Sequence, residues 1–284
     1  MIKLVASDLD GTLIDENNNI YENNFAAISN LNRSNRNFVI CTGKTYNIMP
    51  ESCKKLNASY GIFGNGNEII DLKTGESIYK KLLSYDEISR CIDIAKKYNL
   101  HVHAYSHKEV ITESLMYMDL RNYKLKEHNQ YNTTLDFKIV KDIKKYILEN
   151  NIEICKLIVS SNNSLKDVEL ELLDKLHVSI TKICKYGKYI DTVINKEYEY
   201  LDIAPMNTSK NNALKILGNY LNINQSEMLA IGDNLNDLEM IQKSGVGVAI
   251  ANAYDDLKKV ANYTTINPVE KGGFAEAVYK FVEF

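Results

Sequence analysis

Short apolar runs alternate with amphipathic stretches at both ends of the chain, and that rhythm breaks in the middle. Ile2 to Ser7 is an apolar run that predicts a buried strand, and Tyr21 to Arg36 carries Phe25, Ile28 and Leu31 at helical spacing. Asn37 to Cys41 predicts a second buried strand, Tyr46 to Leu56 a helix, and Tyr60 to Gly64 a third strand closed by Asn65-Gly66. Asn67 to Asp71 and Glu76 to Lys81 read as a hairpin with Thr74-Gly75 in its turn. The alternation resumes at Tyr200 to Ile203. Thr208-Ser209-Lys210 opens a helix to Tyr220, Met228 to Ile231 is another buried strand, and a helix follows through Lys243. Gly245 to Ile250 and helices from Tyr254 and from Gly273 to Phe281 finish the chain. Strands alternating with helices predict an α/β fold around a parallel sheet.

From about Leu83 the texture changes. Ser84 to Tyr98 is an amphipathic helix, and Leu100 to Tyr105 and Val110 to Thr112 are short strands. Leu135 to Asn150 and Ser164 to Leu176 read as helices with the strand Ile154 to Ser160 between them, and Val178 to Ile183 and Tyr189 to Ile194 as two more strands. This is an α+β pattern with its own sheet. The expected organisation is a core in two parts, residues 1–82 and 200–284, around an inserted domain at 83–199, joined by short linkers. Lys141 to Lys145 reads as a solvated helix face.

The strand ends carry the chemistry. Asp8-Leu9-Asp10-Gly11-Thr12 leaves the first strand at its carboxyl end, where ligands bind in open α/β sheets. A solvated Asp-Gly turn is the plain alternative. The second strand ends in Thr42-Gly43-Lys44, whose following helix start could offer N–H groups to an anion; an ordinary Thr cap explains that triplet equally well. Lys210 lies in the first turn of its helix, the end a cation avoids unless an anion is near. Gly232-Asp233-Asn234-Leu235-Asn236-Asp237 again gathers acids at a strand end, and one capping Asx does not account for Asp233, Asn236 and Asp237 together.

Composition narrows the class. The 284 residues carry 34 Lys and Arg against 37 Asp and Glu, a net charge of −3, which argues against a nucleic-acid binder working through bulk charge. No apolar run is long enough to span a bilayer, and the start of the chain lacks a signal-peptide layout, so a cytoplasmic protein is expected. Five cysteines without a C-x-x-C pair fit buried thiols in a reducing compartment. All five histidines lie in the middle segment; His101 and His103 share one strand face, but a metal site there lacks an obvious third ligand. Proton transfer near Asp8 therefore falls to carboxylates or Lys.

Three clustered carboxylates repel one another, and a hard divalent cation resolves that; oxygen donors suit Mg²⁺. A Thr hydroxyl, a Lys ammonium and helix N–H groups suit a phosphoryl group. With these four strand-end motifs in this order, the chain resembles the haloacid dehalogenase superfamily, in particular its Cof-type phosphatases, over essentially its whole length. The resemblance implies a Rossmann-like parallel-sheet core with an inserted α/β cap. It implies that Asp8 attacks phosphorus and that Asp10 acts as general acid and then base. It implies that Asp8, Asp233 and the Asp10 main-chain oxygen bind Mg²⁺ with Asp237 in support, and that Thr42, Gly43, Lys210 and Asn236 hold phosphate, Lys210 also restraining Asp8. Two positions depart from the family pattern, Lys44 where Arg is usual and Asn211 where Gly is usual. Lys44 is a candidate substrate contact, and Tyr105, His103 and Tyr186 are candidates in the cap.

The expected activity is Mg²⁺-dependent hydrolysis of small phosphorylated metabolites, sugar phosphates or pyridoxal phosphate, through an aspartyl phosphate. The alternatives are a phosphomutase with the same chemistry and a non-catalytic phosphometabolite-binding protein. A monomer or weak homodimer is expected, with no nucleic-acid or membrane partner.

Overall fold

The apolar run Leu4–Ser7 is an inner strand of an eight-stranded sheet. The structure is a computed structural model that describes residues 1–114, 136–161, 163–186 and 197–284. The sheet runs in the order Tyr263–Thr264, Val246–Ala249, Met228–Gly232, Leu4–Ser7, Asn37–Cys41, Tyr60–Phe63, Glu68–Asp71, Ser77–Lys80. The first six strands are parallel; Glu68–Asp71 runs antiparallel to its neighbour Tyr60–Phe63, and Ser77–Lys80 turns back antiparallel to Glu68–Asp71 as the predicted hairpin. From Leu4–Ser7 the chain winds outward to one side through Asn37–Cys41, and later returns to the other side at Met228–Gly232. The carboxyl end of Leu4–Ser7 is thus a topological switch point, where a crevice opens between diverging connections.

Side-chain alternation explains why these strands are apolar throughout. Val5, Phe38, Ile40, Leu229, Ile231 and Val248 pack on one face against the helices Glu22–Arg33 and Gly273–Phe281. Leu4, Ala6, Val39, Cys41, Met228 and Ala230 pack on the other, against Lys210–Leu221, Leu238–Lys243 and Asp255–Val260. A parallel sheet covered on both faces has no solvent side to keep polar.

The chain divides into two compact units, residues 1–80 with 208–284, and Lys81–Asn207. The second unit has a six-stranded sheet in the order Val178–Tyr186, Glu197–Pro205, Lys156–Ser161, His101–Tyr105, Glu109–Thr112, Asp136–Ile139. Its neighbours are antiparallel except the last pair. Leu157, Val159, Leu201 and Ile203 share a core with Ile88 and Ile92 of Tyr85–Lys97, Ile147 of Ile143–Glu149 and Leu172 of Lys166–Lys175. Ser84 starts the first of these helices with a capping box to Glu87.

Three expectations change. The second unit runs from 81 to 207, not 83 to 199, and Tyr200 to Ile203 belongs to its sheet within Glu197–Pro205; the parallel core resumes only after Thr208. A four-residue run such as Tyr200-Leu201-Asp202-Ile203 does not by its local pattern distinguish a parallel core strand from an antiparallel one. The expected helix from Tyr46 to Leu56 is a 3-10 turn at Tyr46–Ile48 and a short helix at Glu51–Lys54. Pro50 separates them, since the residue before a proline favours extended backbone, and Met49 has φ −64° and ψ 130°. Within the expected helix Leu135 to Asn150, Asp136–Ile139 is a strand and only Ile143–Glu149 is helical. The expected strand Tyr189 to Ile194 lies outside the described residues.

Candidate active site

Asp8 is buried at the end of its strand, and its N–H donates to the Ile231 carbonyl at 3.0 Å, which ties the first acidic loop to the second. Lys210, the first residue of its helix, is buried and lies between two carboxylates. Its Nζ is 2.6 Å from Asp8 Oδ1 and 2.6 Å from Asp237 Oδ1. Ser209 fixes that helix start by accepting from the Asn212 N–H at 3.1 Å. Asp237 Oδ2 accepts from the N–H groups of Asp233 and Asn234, both at 3.1 Å. Both Asp237 oxygens are therefore engaged within the protein.

Asp233 is fixed from the opposite loop. The Thr12 hydroxyl donates to Asp233 Oδ1 at 2.9 Å. Gly11 has φ +84°, and a Cβ there would stand 2.4 Å from Asp233 Oδ2, so only glycine lets the two loops approach this closely. Asn252 Nδ2 donates to the Gly11 carbonyl at 2.8 Å and Asn252 Oδ1 accepts from the Val269 N–H at 3.0 Å, bracing the same turn.

Electrostatics follow from crowding. Burial pushes the Asp8 carboxyl well above the usual range; Lys210 opposes this, and Asp237, Asp233 and Asp10 add to it. Burial and then the Asp237 charge push Asp233 up to about 6, against the Thr12 hydrogen bond and Lys210. Burial works against the charge on Lys210, but Asp237 and Asp8 outweigh it and hold the ammonium above its ordinary value. Three acids around one cation leave an excess of negative charge.

The residues present fit a hard divalent cation. One oxygen from each of Asp8, Asp233 and Asp237 lies within 4.8 Å of the others. Burial pushes the nearby Cys41 thiol far up, so it offers no thiolate, and neither segment of this unit contains a histidine. An all-oxygen set with an excess of negative charge is the donor chemistry of Mg²⁺.

The expected residues from distant parts of the sequence thus meet. Thr42 and Gly43 end the adjacent strand, with the Thr42 hydroxyl accepting from the Lys44 N–H at 3.1 Å. Lys44 Nζ donates to Asp10 Oδ2. Asn236 Nδ2 donates to Asn65 Oδ1 at 3.0 Å. Asn211 accepts from Gln225 Nε2 at 2.9 Å, so its side chain is absorbed by a neighbouring loop. His103 and Tyr105 belong to the second unit, on one face of the strand His101–Tyr105, with ring centroids 6.2 Å apart. Sequence reasoning gave no role to Thr12, Asn252 or Asn65. Thr12 carried a signal, since it belongs to the D-x-D-G-T run; a single Asn in a loop carries none.

Comparisons with known proteins place the chain in a family. A family model described as haloacid dehalogenase-like hydrolase matches residues 5–278. A candidate phosphatase of Streptococcus pyogenes serotype M6 is 27% identical over 285 residues, covering 99% of this chain and 98% of the relative. The 5-amino-6-(5-phospho-D-ribitylamino)uracil phosphatase YcsE of Bacillus subtilis is 27% identical over 282 residues, covering 99% and 96%. Among solved structures, a haloacid dehalogenase-like hydrolase from B. subtilis superposes with a TM-score of 0.81 at 20% identity, over 99% of this chain and 100% of that one. The chain with the Lys210-bridged acid cluster belongs to the haloacid dehalogenase-like hydrolases, with the Cof-type members of that superfamily.

Proposed function

We propose that this phosphatase hydrolyses small phosphorylated metabolites, such as sugar phosphates or pyridoxal phosphate, with Mg²⁺ and through an aspartyl phosphate. The observation that carries the reading is the position of Lys210 Nζ, 2.6 Å from both Asp8 and Asp237 in a buried site. A buried carboxylate braced by an ammonium on one oxygen can present its other oxygen to an electrophile. That Asp8 oxygen attacks phosphorus while the bond from phosphorus to the leaving alcohol oxygen breaks. Asp10, entering as the acid, gives its proton to that oxygen. It then takes a proton from water, whose oxygen attacks phosphorus. The bond to Asp8 breaks, releasing inorganic phosphate and restoring the carboxylate.

Asp8, Asp233 and the Asp10 carbonyl would hold Mg²⁺, and Asp237, saturated by Lys210 and two N–H groups, would brace the set. When bound, the ion supplies neutralisation of phosphoryl charge. Thr42, Gly43, Lys210 and Asn236 orient the phosphate, and Lys44 holds Asp10 at the rim. The name of the YcsE relative, a phosphatase of a phosphoribityl compound, supports a small polyol or sugar phosphate as substrate. No helix of the described residues is long and apolar enough to cross a membrane; the proposed place of action is the cytoplasm. The protein would act as a monomer or weak homodimer, without nucleic acid.

The test is a panel of phosphate monoesters assayed with Mg²⁺ and with chelator. The expected result is metal-dependent phosphate release from at least one, abolished in Asp8→Asn with the fold intact. No release from any ester would overturn the reading, and substantial turnover by Asp8→Asn would remove Asp8 as nucleophile.

A further inference from the structure

The turn after the third parallel strand, Gly64-Asn65-Gly66-Asn67, touches three pieces of the cradle that the proposed chemistry uses. The Asn65 N–H donates to the Thr42 carbonyl at 3.0 Å, and the Gly64 N–H donates to the Lys44 carbonyl at 2.8 Å. Asn65 Oδ1 accepts from Asn236 Nδ2 at 3.0 Å, across 171 positions of sequence. Gly66, at φ +109°, lies so close to the helix carrying Lys210 that a Cβ would stand 2.3 Å from the Ser209 carbonyl oxygen. The turn is therefore locked to the Thr42 loop, to the Asp233–Asp237 loop and to the start of the Lys210 helix.

From this we infer that Asn65 is a positioning residue for phosphate binding, acting through Asn236 and resting on the reading of Asn236 as a phosphate ligand. Asn65 is buried and holds φ +57°, a left-handed conformation that Asn tolerates better than most residues. That backbone aims its amide oxygen at Asn236. Asn236 itself is only partly buried, on an exposed-rimmed loop, and an amide on such a loop samples several rotamers unless one end is tied. With Nδ2 committed to Asn65, the Asn236 side chain is set before substrate arrives. Binding then avoids the entropy of ordering it.

The experiment uses the full chain with Mg²⁺, p-nitrophenyl phosphate as substrate and inorganic phosphate as competitive inhibitor. Asn65→Gly removes the amide while permitting the same backbone conformation, and Asn65→Ser serves if the glycine variant fails to fold. The expected result is a rise of about five- to tenfold in KM and in the phosphate inhibition constant, the scale of one hydrogen bond, with kcat within about twofold. Asn236→Ala is expected to show a rise at least as large, and the double variant no more than Asn236→Ala alone. A merely structural role for Asn65 would lower the melting temperature without this coupling. If Asn236→Ala weakens phosphate and Asn65→Gly does not, or if the two losses multiply, the role of Asn65 is overturned while the phosphatase reading stands. If Asn236→Ala leaves phosphate affinity unchanged, Asn236 is not a phosphate ligand and the inference fails with it.

Discussion

Lys44 Nζ donates to Asp10 Oδ2, and both side chains stay partly open to solvent. The pair therefore adds little to stability, because exposed ion pairs are weak. Its effect should be on the proton that Asp10 handles. Lys44→Ala is expected to lower kcat/KM by about tenfold to a hundredfold, within the range of a mispositioned general acid, and to change unfolding free energy by less than about 0.5 kcal/mol. Lys44→Arg keeps the cation and adds donors, so its activity should stay within a few-fold of the parent. Steady-state kinetics beside a urea titration separate the two effects. Unchanged kinetics in Lys44→Ala would remove Lys44 from the reaction.

Lys210 is the sole ammonium bonded to Asp8 and Asp237 among the described residues, and all three side chains are buried. Lys210→Met leaves two buried acids without their counter-charge. Removing one partner from a buried ion pair typically costs about 3–5 kcal/mol, and that loss is expected in chelator, together with loss of turnover. If Mg²⁺ binds these acids in the folded chain, as proposed, saturating Mg²⁺ should restore part of the stability by supplying positive charge to them. Urea titrations with and without Mg²⁺ check this. A variant as stable as the parent in chelator would mean that the acid cluster is protonated and needs no cation.

The loops that carry Asp8, Thr42 and Asp233 are legible because each sits where a buried run stops, and apolar runs are what a sequence displays most plainly. Asp8, Asp233 and Asp237 each follow the end of a buried run, and the structure pairs the strands Leu4–Ser7 and Met228–Gly232 in parallel, which brings those ends together. Asn65 was not legible beyond its role in a turn, because its importance lies in a partner 171 positions away. The limits of the second unit were misplaced for a related reason. Tyr200 to Ile203 has the same local pattern as a core strand, and only its partners, Val178–Tyr186 and Lys156–Ser161, assign it to the antiparallel sheet. Local pattern gives the element; partners separated in sequence decide which sheet receives it.

Asp233 contributes to the pH dependence of the metal-free protein, beside Asp8, whose carboxyl is also pushed up by burial. Burial and the Asp237 charge push its carboxyl up to about 6, above the ordinary 3.8. A carboxyl raised in the folded state stabilises the fold below its ordinary value, and that contribution is lost as pH rises through about 6. In chelator, the melting temperature of the parent should therefore fall relative to that of Asp233→Asn as pH rises from about 4 to about 7. Added Mg²⁺ should raise the parent's melting temperature at the upper end of that window and leave Asp233→Asn nearly unmoved. Parallel melting curves for parent and variant across the window, in chelator, would show that Asp233 ionises in the folded chain as it does in the unfolded one.

The second unit contains its own buried charge pair, and its energetics can be tested without reference to catalysis. Lys156 Nζ lies 2.7 Å from Asp202 Oδ2, both side chains are buried, and the ammonium sits 5.2 Å from the centre of the Tyr105 ring. The strands Lys156–Ser161 and Glu197–Pro205 that carry the pair are antiparallel neighbours. Taking two charges out of water costs several kcal/mol, which their mutual attraction offsets only in good geometry. Lys156→Met should therefore destabilise the protein by about 3–5 kcal/mol by removing the ammonium bonded to the buried Asp202. Replacing both residues, as Lys156→Met with Asp202→Leu, should recover most of that loss, because the desolvation cost disappears with the charges. Urea unfolding of the single and double variants measures the two differences. A double variant as unstable as the single would mean that the pair stabilises through contacts that apolar side chains cannot replace, such as the face of Tyr105 under the ammonium.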